Sequence, residues 1–460
     1  MEKFVKKILE NNNITSSSKV VNKVISRLLT SAKVEEIYKS ISSLNNQVMD
    51  IFNKYKESEE FKEYHITIPN ANAKNEYSYS FEISQFPNIK IKEIRNLDTL
   101  GLSFDNESNT LYGKPVIPTQ TELQIVFYNE KDENKNEEVK TVHFVVNADP
   151  KDLWKNIPSS KDIRYWKEDD DVYADDFLDR KIVIASKRGR SHAHEGTTRD
   201  DHFATQKLYD GWEIVAVADG AGSAKFARKG SEIATTFICD RFNNKDIIES
   251  VSDLVVSFYK EETPQTDIKS SIFNLLYKEV LSLHNHLKEF VSKEEILMKD
   301  LNTTLIFALM KKFEFGYVIL TFGVGDCPIC VVNEEKSGVK LLNKLDVGEY
   351  GGGTRFITMS EIFTNQGAFP MSHRFGIHRI ENFSKLFLMT DGIYDPKFVV
   401  ESKLEDWDTW KNFLLDIDGQ NDDKIKVDFT NQTEVKFQLL KWMDFWSKGN
   451  HDDRTLAVIY

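Results

Sequence analysis

A chain of 460 residues with a formal net charge of −13 is too long for one ordinary hydrophobic core and too acidic for a nucleic-acid-binding or anionic-membrane surface. With 40% hydrophobic and 12% aromatic residues, the composition is that of a globular protein, and we expect two or three domains. The sequence lacks both a run of about eighteen apolar residues and the apolar core of a secretory signal, so we expect neither a membrane span nor a membrane partner.

The three cysteines, Cys239, Cys327 and Cys330, are too few for a disulfide framework, and they favour a reducing, cytoplasmic location. Two of them form the pair in CPIC, which lies in an apolar, strand-like run. We interpret them as buried strand cysteines, with a redox motif or a zinc site as the alternative.

Residues 1–62 contain neither glycine nor proline and predict a helical N-terminal segment. Apolar residues recur there in alternating steps of three and four, which is the seam spacing of packed helices. They are Val34, Ile37, Ile41, Leu44, Val48 and Ile51. The segment is interpreted as a helical hairpin that packs on itself or on the next domain, or alternatively as a coiled coil that binds a protein partner.

Residues 65–148 alternate apolar and polar side chains in several short runs, which predicts a small antiparallel β-sandwich. The stretch GLSFDNESNTLYGKP resembles immunoglobulin-like domains related to cadherin repeats, in which L-x-F-D and L-x-G-x-P recur. The resemblance implies an immunoglobulin-like domain, in which we interpret Asp105 as a turn residue rather than a calcium ligand. The acidic residues 149–178 are expected to form a solvated linker.

Residues 179–460 contain compact apolar strands in runs of two or three, separated by helical patterns. This order predicts an α+β fold with sheets covered by helices on their outer faces, since strict strand–helix alternation is absent.

Aspartates recur at the ends of these strands. Asp200 and Asp201 precede a short apolar segment, Asp219 follows WEIVAVA, Asp326 follows YVILTFGV, Asp391 follows KLFLMT, and Asp452 comes before TLAVIY. One such residue is usually a turn former or a helix cap, but several in one domain indicate a shared site. Gathered carboxylates repel each other unless cations neutralise them, and ligands that are all oxygen favour Mg²⁺ or Mn²⁺ over zinc. We therefore expect two such ions, able to activate a water for attack on phosphorus.

The ordered motifs VADGAGS, GVGD, MTDGIYD and HDDRTLAVI are similar to those of the metal-dependent protein phosphatases of type 2C. The stretches RGRSHAHEGTTRDDHF and VADGAGSAKFARKGSEIA resemble the bacterial branch of that family, and VGEYGGGTRFITMSE occupies a comparable place. The resemblance covers essentially all of residues 179–460. It implies a four-layer α-β-β-α sandwich, preceded here by the small β-sandwich and the helical segment.

The resemblance also implies a set of metal-site residues. They are Asp200, Asp201, Asp219, Gly220 through its carbonyl group, Asp326, Asp391 and Asp452. In this assignment Asp219 bridges two ions and Asp326 belongs to a third, looser site. Asp200 replaces the glutamate that is usual in the first motif.

The family's proton donor and its phosphate-binding arginine have no direct match here. Ala221 stands where many eukaryotic members have a histidine, so His192 or His194 is the candidate acid. The phosphate-binding arginine is expected to be Arg190, or else Arg188, because a guanidinium offers a bidentate fork to phosphate oxygens. The candidate catalytic residues are therefore Arg190, His192 and Asp219.

The sequence thus predicts a cytoplasmic, bacterial-type protein phosphatase that hydrolyses phosphoserine or phosphothreonine by direct attack of an activated water. Its substrates would be phosphoproteins of a serine/threonine kinase system, and its N-terminal parts would localise the enzyme or bind a partner. The alternative is a phosphatase-like scaffold with weak or absent activity, which the atypical first motif keeps open.

Overall fold

The computed structural model describes residues 1–15, 18–260, 266–346, 353–364 and 369–460. The chain forms two compact units, Met1–Leu153 and Trp154–Tyr460. Every helix in the described ranges is too short or too polar to span a bilayer. Residues 347–352, which hold most of the glycine-rich stretch VGEYGGG, lie outside those ranges.

In its described residues, 1–15 and 18–153, the first unit contains three α-helices and two small sheets. The helices are α1 (Glu2–Asn11), α2 (Lys19–Leu29) and α3 (Ala32–Glu63), and the strands are β1 (Ala71–Asn72), β2 (Tyr77–Ser80), β3 (Ile89–Arg95), β4 (Leu102–Asp105), β5 (Thr110–Gly113), β6 (Thr119–Asn129) and β7 (Glu138–Asn147). The strand orders are β1-β7-β6-β3 and β2-β5-β4.

Both small sheets bury alternate residues in one shared core. Leu123 and Ile125 on β6 meet Leu102 on β4 and Leu111 on β5 there, as the period-two pattern predicts for two stacked sheets. The two sheets therefore form a small β-sandwich, and its kinship with immunoglobulin-like domains stays a prediction.

The second unit contains two larger antiparallel sheets and seven helices within the described ranges. The helices are α4 (Arg190–Glu195), α5 (Ala227–Phe242), α6 (Lys245–Lys260), α7 (Thr266–Glu294), α8 (Asp391–Phe398), α9 (Trp407–Ile417) and α10 (Val435–Trp442). The strands are β8 (Asp170–Phe177), β9 (Arg180–Lys187), β10 (His202–Lys207), β11 (Glu213–Ala218), β12 (Leu305–Phe313), β13 (Gly316–Val324), β14 (Ile329–Asn333), β15 (Gly338–Leu341), β16 (Phe375–Ile380), β17 (Lys385–Met389) and β18 (Arg454–Ile459). One sheet has the order β10-β11-β12-β13-β16, and the other has the order β15-β14-β17-β18-β9-β8.

The side chains of β11 show how the layers stack. Ile214, Ala216 and Ala218 point into a core shared with α5, α6 and α7, whereas Val215 and Val217 point into the core between the two sheets. Successive strand residues face opposite sides, so a strand buried on both faces reads as a continuous apolar run.

The outer face of the second sheet is covered in the same way. Phe387 and Met389 on β17 pack with Trp410 on α9 and Trp442 on α10 in a third core. The order of layers is therefore helix, sheet, sheet, helix, which confirms the predicted α+β, four-layer sandwich.

The structure differs from the expected linker at residues 149–178, because β8 pairs with β9 along its whole length. Its side chains are mostly exposed or half-buried, as an edge strand with polar residues allows. The polar residues Asp170–Phe177, which we expected within a linker, therefore form the edge strand of the second sheet.

The CPIC cysteines lie in two different cores. Cys327 is buried between the sheets, and Cys330 is buried between the second sheet and its helices. Neither they nor Cys239 forms a disulfide in the described part of the chain.

Candidate metal centre

Strand pairing brings the predicted aspartates of the first sheet to one edge of that sheet, the one where β10 and β12 begin and β11 and β13 end. His202 at the start of β10 pairs with Ala218 at the end of β11, so Asp201 and Asp219 are neighbours. The start of β12 lies between the ends of β11 and β13, and Asp326 follows β13 after a single glycine.

The second sheet contributes two more carboxylates. Met389 at the end of β17 pairs with Leu456 near the start of β18. Asp391 therefore begins α8 just beyond β17, and Asp452 lies just ahead of β18. The carboxyl end of one strand and the amino end of its antiparallel neighbour meet at the same edge of a sheet.

Within the resulting cluster Asp201 is buried and the other four aspartates are half-buried, and their negative charges repel each other. Burial raises the pKa of Asp219 well above its ordinary value, and the nearby Asp391, Asp201, Asp452 and Asp326 raise it further. The pKa of Asp391 is raised in the same way, by burial and by Asp452, Asp326 and Asp201. We call these five residues the acidic cluster.

Several oxygen atoms of the acidic cluster have no partner among the described residues. One carboxylate oxygen (Oδ1) on each of Asp326 and Asp391 is buried without a hydrogen bond. Possible ligand atoms of Asp219, Asp326 and Cys327 lie within 4.8 Å of one another. Burial and the adjacent Asp219 raise the pKa of the Cys327 thiol, which keeps it neutral and a poor ligand. The donor set therefore fits a hard divalent cation bound through oxygen.

Other hydrogen bonds fix the backbone of the acidic cluster and the side chain of Asp201, its most buried member. The Asp219 carbonyl accepts hydrogen bonds from the Thr304 N–H and the Thr303 hydroxyl, each at 2.8 Å. Asp201 Oδ2 accepts the hydroxyls of Thr390 at 2.9 Å and Thr455 at 2.7 Å. Gly220 follows Asp219 closely packed, since a Cβ there would lie 2.6 Å from the Asp200 carbonyl oxygen.

Asp200 differs from the other predicted ligands because cationic side chains surround it. Its Oδ1 accepts the Arg228 N–H at 3.1 Å and lies 3.8 Å from the Arg228 guanidinium. Its Oδ2 lies 3.7 Å from His192 Nε2. Burial, followed by the charge of Asp453, raises the pKa of Asp200 to about 6. The chain itself thus supplies partners for this carboxylate.

Asp453 is a site residue that the sequence reasoning missed. Its two carboxylate oxygens accept the N–H groups of Gly189 at 2.6 Å and Asp200 at 2.5 Å. It thereby joins the start of β18 to both ends of the first motif. The available signal was the doubled acid in HDDRT, of which only the first residue was assigned.

Lys167 is the second missed residue. Its buried ammonium donates to the Asp201 carbonyl oxygen at 2.5 Å and lies 3.4 Å from that of Asp200. Burial, aided by the charge of Arg199, lowers the pKa of Lys167 to about 7, although the nearby aspartates oppose this shift. No sequence pattern marked it, because a lysine in a polar, acidic stretch is usually exposed.

His192 lies beside the acidic cluster, as predicted for a site residue. Its Nδ1 is 2.8 Å from the Thr197 hydroxyl, and its Nε2 is 3.7 Å from Asp453 Oδ2. Burial by itself would lower the pKa of His192, but four carboxylates, led by Asp453 and Asp200, outweigh it and raise the pKa. His194 instead accepts the Lys155 N–H at 3.1 Å.

The two candidate arginines are engaged elsewhere. Arg190 donates to the Asp444 carbonyl oxygen at 2.6 Å and lies over the ring of Trp446. Arg188 donates to the Thr197 carbonyl oxygen at 3.0 Å and pairs with Asp169 at 3.2 Å. Within the described ranges, no hydrogen bond or ion pair joins either arginine to the acidic cluster.

Gly189 is tightly packed at this centre, and its replacement gives a direct test. A Cβ at Gly189 would lie 2.4 Å from the Asp452 carbonyl carbon, whereas a Cβ at Gly222 meets no described atom within 4 Å. We expect Gly189→Ala to lower the free energy of unfolding by roughly 1–3 kcal/mol and to weaken Mn²⁺ binding, because overpacking shifts Asp452. Urea unfolding and calorimetric titration with Mn²⁺ measure both, and Gly222→Ala is the matched control. Equal effects of the two variants would contradict this account of the packing.

Solved structures similar to this chain include bacterial phosphatases. The serine/threonine phosphatase Stp1 from Staphylococcus aureus is 16% identical, with 60% of this chain and 93% of that chain covered and a TM-score of 0.36. The S. agalactiae serine/threonine phosphatase is 16% identical, with 63% and 99% covered and a TM-score of 0.39. A C. elegans sex-determining protein is 12% identical, with 61% and 64% covered and a TM-score of 0.39.

Comparison at the level of sequence gives one match. No curated protein matches the chain. The sequence model of the family described as protein phosphatase 2C matches residues 188–429. This span is more than half of the 460 residues and includes Asp201, Asp219, Asp326 and Asp391. The chain therefore belongs to the protein phosphatase 2C family.

Proposed function

We propose that this chain is a metal-dependent protein phosphatase that hydrolyses phosphoserine and phosphothreonine monoesters. The observation that carries the proposal is the acidic cluster, in which buried and half-buried carboxylates from two sheets converge and two buried carboxylate oxygens have no partner among the described residues. Membership of the protein phosphatase 2C family supports the same reaction. The substrates would be phosphoproteins of a serine/threonine kinase system, and the cytoplasmic location stays a prediction from the cysteines.

The acidic cluster would hold two Mg²⁺ or Mn²⁺ ions, with Asp219 between them and Asp391 and Asp452 beside one of them. Asp326, whose Oδ1 is buried and free of hydrogen bonds among the described residues, would serve a third ion. When bound, these ions supply positive charge that offsets the repulsion within the cluster and activates water for attack on phosphorus. The carbonyl of Gly220 would complete the ligands on the first sheet.

His192 is our candidate for the proton donor to the departing seryl or threonyl oxygen. Its raised pKa favours the protonated ring near neutral pH, and the Thr197 hydroxyl fixes Nδ1 while Nε2 faces the carboxylates. Arg190 stays the predicted phosphate ligand, for which it would have to release the Asp444 carbonyl oxygen.

A phosphatase-like scaffold is the second candidate function. It is favoured by the first motif, in which Asp200 is paired with cationic side chains of the chain and Arg190 with Asp444. A scaffold of this kind would bind phosphoprotein without turning it over.

Replacement of Asp219 separates the two candidates. We expect Asp219→Asn to lower the Mn²⁺-dependent hydrolysis of p-nitrophenyl phosphate and of phosphothreonine peptides by about a hundredfold or more, because it removes the shared ligand. EDTA should abolish the activity of the unaltered chain, and Asp253→Asn, on the exposed face of α6, should retain it. Metal-independent turnover would overturn the mechanism, and Mn²⁺ binding without any turnover would establish the scaffold.

The raised pKa values predict that cations stabilise the chain more strongly at high pH. Burial raises the pKa of Asp201 to about 7, against 3.8 for an ordinary aspartate, and it raises those of Asp219 and Asp391 as well. For such groups the stability present below pH 4, the unfolded pKa, is lost as pH rises through the raised values. Without metal, the melting temperature should therefore fall between about pH 5 and 8.

Saturating Mn²⁺ should raise the melting temperature by roughly 5–10 °C at pH 8, since only deprotonated carboxylates bind the ion. At pH 5 the gain should be clearly smaller. Thermal denaturation with EDTA or with Mn²⁺ measures both, and in Asp219→Asn the gain should shrink at every pH. A gain that does not change with pH would rule out the acidic cluster as the ion site.

The role of His192 is tested by comparing two leaving groups. Serine is a poor leaving group that needs a proton, whereas p-nitrophenolate needs none. We expect His192→Gln to lower kcat on phosphoserine peptides by about a hundredfold and on p-nitrophenyl phosphate far less. His194→Gln is the matched control and should change neither rate. Equal losses on both substrates would show that His192 does not donate the proton.

A further inference from the structure

Helix α3 leaves a row of large apolar side chains in solvent along its middle. They are Ile37, Leu44, Val48, Ile51, Phe52 and Tyr55, with exposed fractions between 46% and 64%. We call these six residues the α3 seam. Soluble proteins seldom expose contiguous apolar surface of this kind without a partner for it.

The α3 seam is not the face that α3 uses against its own β-sandwich. Toward the C-terminal end of α3, Phe61 packs on Phe127 with ring centroids 4.6 Å apart. Glu57 accepts the N–H of Asn88 at 3.0 Å, and Lys54 pairs with Asp132. At about 100° per residue, the stripe through Lys54, Glu57 and Phe61 lies roughly 120° around the helix from the seam. The sandwich therefore leaves the seam uncovered.

The composition of the same stretch also departs from that of a solvated helix. In residues 41–53 (ISSLNNQVMDIFN), Asp50 is the only charged residue. An exposed helix normally carries charged residues on its outer face. This part of α3 therefore has the composition of a helix that is covered on more than one side.

The spacing of the seam matches a heptad repeat. Val34, Ile41 and Val48 fall at position a, and Ile37, Leu44 and Ile51 fall at position d. The β-branched residues at these three a positions, with Leu44 at the central d position, favour two parallel strands, whereas Ile37 and Ile51 at d also suit three or four; Tyr55 occupies the next a position. A helix with the same heptads fits the seam, and a second copy of this chain carries that helix.

The charges beside the seam allow such self-pairing. Positions e and g hold Tyr38, Asn45, Phe52, Ser40 and Gln47, none of which is charged, and Lys54, which is paired with Asp132 within its own unit. Two identical helices would thus meet without repulsion between like charges, which would otherwise oppose a parallel pair.

The area is sufficient for a dimer of modest affinity. With about half of each side chain exposed, the six residues offer roughly 600 Å² per chain, and two chains would bury about 1,200 Å², the lower end of specific interfaces. We propose that the α3 seam pairs with the α3 seam of a second copy as a parallel coiled coil, so that the chain is a homodimer. This proposal does not depend on the proposed function.

Sedimentation velocity on the full-length chain from about 1 to 100 µM tests the proposal, because an interface of this size gives a concentration-dependent dimer. We expect the mass to rise toward two chains. Val48→Glu should weaken the dimer by more than about tenfold, since it buries a charge at position a of both helices. Asn46→Glu adds the same charge on the opposite face of α3 and should leave the dimer intact. A monomer throughout the range, or a dimer indifferent to Val48→Glu, would overturn the proposal.

A second measurement reports the arrangement of the helices. The three native cysteines are buried, so Leu44→Cys introduces an accessible thiol at position d. In a parallel pair the two introduced thiols face each other, and mild oxidation should give a disulfide-linked dimer. Asn46→Cys should not cross-link. Absence of the cross-link in Leu44→Cys would overturn the parallel coiled coil even if the chain is dimeric.

Discussion

The mutual repulsion of closely spaced, poorly solvated carboxylates is the constraint around which the second unit is organised. Burial and the neighbouring carboxylates of the acidic cluster raise the pKa values of Asp219 and Asp391, so the metal-free cluster costs stability at neutral pH. Only a rigid frame can hold them together. The frame is the shared edge of two antiparallel sheets, where threonine hydroxyls at the ends of the strands donate to Asp201 and to the Asp219 carbonyl.

The carboxylates of this centre form two groups, which differ in the positive charges that neutralise them. The first group is Asp200 and Asp453. Basic side chains of the chain itself lie around these two residues, namely Lys167, Arg228 and His192. Within the described residues, no ion pair joins a carboxylate of the acidic cluster to a basic side chain, and the basic group nearest to Asp452 is His192, with ligand atoms within 4.8 Å. Basic side chains of the protein thus neutralise Asp200 and Asp453, which fix the first motif. The acidic cluster keeps the oxygen atoms that suit divalent ions. The same division explains why Asp200 is the least available of the predicted ligands.

The sequence was informative where a periodic pattern carries the structure. Strands buried on both faces read as continuous apolar runs, so their ends, and with them Asp219 and Asp391, were located correctly. Strand β8, Lys167 and Asp453 were not predicted for one reason: each is a polar residue or segment whose place is set by hydrogen bonds to another part of the fold. The contacts of Arg190 likewise depend on Asp444, which is far away in the sequence. Apart from the doubled acid in HDDRT, which includes Asp453, tertiary contacts of this kind leave no local signature in the sequence.

Each of the two units has a surface that calls for a partner from outside the chain, and the two surfaces differ in chemistry. In residues 154–460 it is negative charge, which small cations can offset without any second protein. In residues 1–153 it is the apolar α3 seam, which only another apolar surface can cover. All residues of the proposed reaction belong to the second unit, so the chemistry is complete in one chain. Pairing through α3 would then act on multivalent phosphoproteins through effective concentration, raising apparent affinity while leaving kcat on a small phosphoester unchanged.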